Sequence, residues 1–419
     1  MGDRRGILKA LGPGFLFAAV SVGVSHLVQS TRAGAFLGFS LVPVILLAML
    51  MKYPLFEFGQ RYAAATGKSL LDGYRKQGRW ALVFYILLTL GTMFTVLAAV
   101  TAITTGLAIQ LTGIVLPLWQ WSAIIMGICA LLIALGRYPL LDKAIKVIMA
   151  LLTLSTIAAV AAAVPSLRAG SLFGKIEWEH MVFIVPLIGW MPTGMDVSVW
   201  QSFWALARRR ETGHRPTLRE TLFDFRFGYI GTSVLALLFV TLGAAVMFDR
   251  GQAFDLKSSS KFAGQLVDLY TSTLGEWSRP VILVAALTTM LSTTLTVIDG
   301  FPRALQMAGR RFFSEETAAD AEKSTVRTLD FWLWAGLLIA GAMIVIRFYM
   351  KNFGALVDLA ITLSYVTGPF LGILTYRAMT APDIPAEYRP ARGLRILAIV
   401  GIVFLAGFFV LYLKVRLDA

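Results

Sequence analysis

The chain has 419 residues, 57% of them hydrophobic and only 15% charged. Soluble domains carry about 25% charged residues, so this composition argues against a water-soluble enzyme and for a multi-span membrane protein. A net charge of +14 suits nucleic-acid binding, but the Lys and Arg residues gather in alternate loops rather than on one face, so no nucleic-acid partner is expected.

Residues 1–10 are polar and basic, and no small-residue cleavage site follows the first apolar run, so no cleavable signal peptide is expected. Eleven helical spans are predicted at about 12–36, 40–63, 80–110, 115–135, 139–164, 180–206, 220–248, 262–300, 326–347, 352–378 and 393–415. The eighth has an alternative start near Arg279, which leaves 262–276 as a short helix outside the membrane. The runs are continuously apolar rather than alternating, which excludes a β-barrel. Cys129 is the only cysteine, so neither an intrachain disulfide nor a Cys/His zinc framework is possible.

Two spans are interrupted. The first carries Gly23-Val24-Ser25-His26 at its middle, and the sixth carries Gly189-Trp190-Met191-Pro192-Thr193-Gly194-Met195-Asp196. A break at membrane depth frees backbone carbonyls and amides, which are tolerated only where they line a cavity or meet a ligand. The matching breaks divide the chain into two candidate repeats, 1–165 and 166–380, followed by a peripheral helix in 381–419. Five helices per repeat is an odd number, so the two halves run in opposite senses across the bilayer. With the N-terminus cytoplasmic, about 24 basic residues fall inside and about ten outside. The expectation is a plasma (inner) membrane protein with its N-terminus inside and its C-terminus outside.

At this point the chain resembles the Nramp family of divalent-metal transporters, which share the LeuT-type fold. The resemblance rests on Gly12-Pro13-Gly14-Phe15-Leu16 and Ala33-Gly34-Ala35 in the first helix, and on Arg61 and Thr66-Gly67-Lys68 at the end of the second. It continues in Met191-Pro192 and in the Ser/Thr-rich stretch 292–296 of the eighth. It implies an all-α membrane protein with a 5+5 inverted repeat, working by alternating access. The family's Asp-Pro-Gly-Asn motif is replaced, with Gly23 at the Asp position and His26 at the Asn position. Its Met-Pro-His-Asn pattern reads Met191-Pro192-Thr193-Gly194 here. Residues 80–113 hold no Asp, Glu, His, Lys or Arg, and Ser198 stands at the family's later histidine. The ionisable residues of the family's proton route are therefore missing.

The candidate substrate site comprises Gly23, Ser25, His26, Gln29, Trp190, Met191, Thr193 and Asp196, with His26, Met191 and Asp196 as candidate metal ligands. Asp196 is the only carboxylate near either break, and its position also suits capping of the second half-helix. His26 offers a neutral imidazole, a proton carrier or a donor to a freed carbonyl. Met191 matches a soft family ligand, although a methionine on an apolar helix is also ordinary packing. Trp190 lies beside the break and suits an organic ligand. Ser25, Gln29 and Thr193 are equally explained by bonds to unwound backbone.

Among the remaining charges, Glu57 and Arg61 form a structural i,i+4 pair. Lys52 is expected to snorkel or to pair with Asp299 or Asp358. Asp224 and Arg226 read as interfacial, and 314–325 as a solvated loop or short surface helix. No nucleotide loop or catalytic domain is visible, so the chain is not expected to be an enzyme or to need a cofactor. The leading reading is a secondary transporter of divalent cations; the alternative is a carrier of a small organic solute, amino-acid-like or a carboxylate, on the same fold. A non-transporting sensor is disfavoured, since no soluble domain is appended.

Overall fold

A computed structural model describes residues 4–136, 138–167, 172–313, 328–349 and 352–418, and the stretch 314–325 lies outside them. Among the described residues, eight helices are long and apolar enough to cross a membrane: α1 (Pro13–Leu37), α2 (Phe39–Thr66), α3 (Arg79–Thr112), α7 (Leu218–Val246), α8 (Glu276–Phe313), α9 (Leu329–Phe348), α10 (Phe353–Met379) and α11 (Arg392–Val415). The other three expected spans are α4 (Leu118–Ala134), α5 (Tyr138–Ala163) and α6, which is split into Met181–Trp190 and Val197–Thr212. The β contribution among these residues is one isolated bridge, between Gly38 and Phe173.

The eighth span takes the later of its two expected starts. Ser259–Leu274 is a separate helix, ended at Gly275 with φ 94°, and α8 proper begins beyond it. The earlier helix is amphipathic and lays Phe262, Leu266 and Tyr270 against the bundle, while Lys261 and Asp268 stay in ion pairs at its surface. A single span over 262–300 would have carried Asp268 into the membrane.

Burial sorts the helices. Of the apolar window of α1, 83% is buried, against 28% for α9 and 22% for α11. The broken helix is therefore central and α11 peripheral, as lipid-facing helices must be.

One contact fixes α1 in the bundle. It lies against α7 through glycines, so that backbone meets backbone. A methyl group added at Gly34 would fall 2.0 Å from the Val240 carbonyl oxygen, and one at Gly228 2.2 Å from the Gly14 carbonyl oxygen. Small residues at a crossing let two helices approach closely, which supplies dispersion contact where lipid gives no hydrophobic drive. α8 runs along α3, and the second half of α6 runs along α2. The two breaks thus face each other inside a shell of α2, α3, α8 and α10.

Candidate functional site

The interruption in α1 is compact. Residues Val22–Ser30 take a wider helical turn, and Gly23 leaves helical geometry with ψ −127°. A side chain at Gly23 could not be housed, because its Cβ would meet Thr293 Oγ1 of α8 at 2.6 Å. Ser25 Oγ answers one freed carbonyl by donating to Ser21 at 2.5 Å. In α6 the backbone is fully unwound between Trp190 and Val197, and it contains a cis peptide bond at Met191-Pro192.

A cleft of about 450 Å³ lies between the breaks. Its walls are six valines (Val20, Val24, Val96, Val100, Val197 and Val297), with Trp190, Trp200 and Phe301 as aromatic surface. Its polar lining is Asp196 and the hydroxyls of Ser25, Thr193, Thr293 and Ser364. Asp196 is buried, and its Oδ1 has no hydrogen-bond partner. The capping role open to Asp196 is not taken: it stands at the start of the second half-helix, but its side chain makes no cap bond. Trp190 Nε1 and Trp200 Nε1 are likewise buried without acceptors. Buried polar groups seldom stay unpaired, so these three atoms mark where water or cargo completes the site. Gly194 is also part of the lining. A methyl group there would lie 2.9 Å from Ser364 Oγ and 3.8 Å from Asp196 Oδ2.

Of the eight residues singled out from sequence, Ser25, Trp190, Thr193 and Asp196 line this cleft, and Gly23, His26, Gln29 and Met191 are not among its lining residues. His26 is turned to α7, where Nε2 donates to the Thr232 carbonyl at 2.9 Å, and Nδ1 sits 3.3 Å from Ser25 Oγ. Met191 Sδ accepts from Ser30 Oγ at 3.6 Å. Gln29 Oε1 accepts from Arg32 at 2.7 Å. Of the three candidate metal ligands, Asp196 alone lines the cleft. Among the described residues, no group of three or more His, Cys, Asp or Glu could hold a metal ion.

One charge takes a role other than that expected, and a second shows partners that the sequence does not name. Lys52 meets neither Asp299 nor Asp358, which pair with Arg303 at 2.8 Å and Arg32 at 3.1 Å. It reaches instead into the α6 break. Asp224, near the start of α7, is buried, and it accepts from the amides of Gly12 at 2.9 Å and Gly14 at 2.6 Å. It thereby holds the N-terminus of α1 from α7. Glu57 and Arg61 do form their pair, at 2.6 Å, and Arg61 also donates to the Tyr388 carbonyl at 3.1 Å. Sequence marks Thr293 only through the Ser/Thr-rich stretch 292–296, and Ser364 only as a hydroxyl in an apolar helix.

A bundle of apolar helices with two facing broken helices and an unpaired carboxylate between them defines a membrane transporter. Residues 14–414 match the family described as natural resistance-associated macrophage protein-like, and the chain belongs to that family. It is 33% identical over 413 residues to an uncharacterized protein of Pasteurella multocida, covering 96% of this chain and 92% of that one. With metal transporter Nramp3.1 of Populus trichocarpa it shares 27% identity over 251 residues, 57% of this chain and 49% of the poplar protein. Among solved structures, a manganese transporter of Eremococcus coleocola superposes with TM-score 0.72 at 15% identity, covering 99% of this chain and 87% of that one. MhsT bound to L-phenylalanine superposes with TM-score 0.55 at 15% identity, covering 97% and 99%. The fold is the all-α LeuT type. The chain is a multi-pass transporter in a lipid bilayer, and it is not an enzyme.

Proposed function

We propose that the chain carries a divalent cation across the membrane by alternating access, with Asp196 as the anionic ligand. The observation that carries this reading is the buried Asp196 carboxylate, whose Oδ1 has no protein partner in a cleft between two helix breaks. An uncompensated carboxylate in an apolar surrounding is costly, and a bound cation removes that cost. The hydroxyls of Ser25, Thr193, Thr293 and Ser364 are the remaining side-chain oxygens of the lining. One carboxylate and a few hydroxyls are too few to strip a divalent ion, so the cargo keeps part of its water shell. A donor set made only of oxygen favours hard ions such as Mg2+ and Mn2+ over soft Cd2+. Family membership supports the metal reading over the organic-solute alternative.

Two finer points belong to the same proposal. The repeats are 1–165 and 166–380, inverted relative to each other, with 381–419 peripheral. The N-terminus faces the cytoplasm and the C-terminus the outside of the plasma (inner) membrane, as the distribution of basic residues supports. Proton movement along α3 is not part of the proposal, because 80–113 offers no ionisable Asp, Glu, His, Lys or Arg.

The test is uptake of Mg2+, Mn2+ and Cd2+ into liposomes holding the purified protein. The Asp196→Ala variant is expected to lose uptake by at least about tenfold, since a charged ligand contributes roughly 1.5–3 kcal/mol. Uptake unchanged by that substitution removes Asp196 from the site. Absence of uptake of all three ions by the wild type ends the metal reading.

A further inference from the structure

We infer that Lys52 is a tethered cation, seated on the carbonyls that the break in α6 exposes and supplying there the charge that a diffusible co-ion would otherwise bring. The inference rests on the reading of the α6 break as the transport site.

Lys52 belongs to α2 and is completely buried. Its Nζ donates to the Gly189 carbonyl at 2.5 Å and lies 3.4 Å from the Thr193 carbonyl. The first half of α6 stops at Trp190, so the helical turn that would have supplied an amide to Gly189 is missing. Such a carbonyl sits at the negative end of the half-helix dipole, where a cation is favoured. Lys52 forms no ion pair among the described residues. Its partners are thus two backbone carbonyl oxygens, one close and one longer, and not a carboxylate. An ammonium has three donors and no acceptor, and carbonyl oxygens are what it requires.

A neutral side chain could also donate one hydrogen bond to Gly189, so hydrogen bonding alone does not account for the charge. Thr193, whose carbonyl Lys52 approaches, is three residues from Asp196, the unpaired carboxylate of the cleft. The side chains at the break are then one positive and one negative group, and a divalent ion on Asp196 makes the break net positive. Lys52 therefore opposes overly tight capture and favours release, while sparing the protein a loosely bound alkali ion.

The test uses the full-length protein with Lys52→Ala, Lys52→Met and Lys52→Arg, with Mn2+ as probe. The Met variant keeps the bulk and loses the charge. It is expected to bind Mn2+ more tightly in calorimetry and yet to turn over at least about tenfold more slowly in liposomes, a split that a purely structural role does not produce. The Ala variant leaves the Gly189 and Thr193 carbonyls without the ammonium. Na+ or ethylammonium is expected to raise its melting temperature and restore part of its uptake, with no such effect on the wild type or the Met variant. The Arg variant keeps the charge and is expected to retain more uptake than Met.

Wild-type turnover by the Met variant overturns the inference, as does an Ala variant whose melting temperature neither cation moves. If the Ala variant cannot be purified, the Met and Arg variants decide. The melting experiment does not depend on the cargo. A wild type that moves no divalent ion therefore defeats the proposed function, while cation stabilisation of the Ala variant still supports Lys52 as a tethered cation.

Discussion

Replacing Asp224 with alanine should free the start of α1 from α7. The carboxylate accepts from two amides, Gly12 at 2.9 Å and Gly14 at 2.6 Å, and both are first-turn groups with no helical partner of their own. Each bond is charge-assisted and worth roughly 1.5–3 kcal/mol. Water reaches the exposed groups once the segment moves, so the two bonds together contribute nearer 3 kcal/mol than 6. That corresponds to about a hundredfold change in the equilibrium between docked and undocked α1, at about 1.4 kcal/mol per factor of ten. Hydrogen–deuterium exchange on the detergent-solubilised protein reads this directly. Peptides covering residues 11–20 should exchange about a hundredfold faster in Asp224→Ala, while those from the core of α3 keep their wild-type rates. Exchange at 11–20 that stays at the wild-type rate would refute the latch. Acceleration spread evenly over α3 and α8 would refute it as well, by showing general destabilisation instead.

Gly34→Ala should lower the melting temperature clearly, because the added methyl meets the Val240 carbonyl oxygen at 2.0 Å and overpacking costs about 1–3 kcal/mol or more; Gly231→Ala, with no atom within 4 Å, is the matched control and should be neutral. His26→Ala should destabilise by about 1–3 kcal/mol through the lost bond to the Thr232 carbonyl and the cavity left by its buried ring while calorimetric Mn2+ binding persists; loss of binding at unchanged stability would restore His26 as a ligand. Asp383, in the loop before α11, is held below its ordinary pKa by its hydrogen bond and ion pair with Lys76. Its contribution is complete above the unfolded value of about 3.9 and is lost as pH falls through the lower folded value. The side chains are 48% and 45% exposed, so the pair is worth at most about 1 kcal/mol. Melting curves of Lys76→Gln should lie slightly below wild type at neutral pH and converge with it in strong acid; a gap that widens in acid contradicts this sign.

The architecture was legible because bilayer spans impose long apolar runs, and because glycine, proline and hydroxyl residues clustered inside such a run interrupt its helix. Both breaks and their pairing followed from Gly23 to His26 and from Gly189 to Asp196. The site was legible only in part. Asp196, Trp190, Thr193 and Ser25 line the cleft, but the direction of His26 depends on a carbonyl 206 residues away. No local pattern announces Thr232 as its partner. Met191 is likewise claimed by Ser30 across 161 residues. The partners of Asp224 were illegible for a related reason. They are two backbone amides of another helix, which leave no trace in side-chain composition.

The backbone contact between α1 and α7 also bears on mechanics. An interruption at Gly23 weakens α1 along its length, and a weakened rod bends toward any side. Gly14 meets Gly228 below the interruption, and Gly34 meets Val240 above it, so α7 spans the weak point like a splint. Contact between main chains leaves no intervening layer of side chains to slide or compress. Stiffness returns on the side facing α7, so α1 resists bending toward α7 more than away from it. Directional compliance of this kind is what distinguishes a hinge from a slack joint.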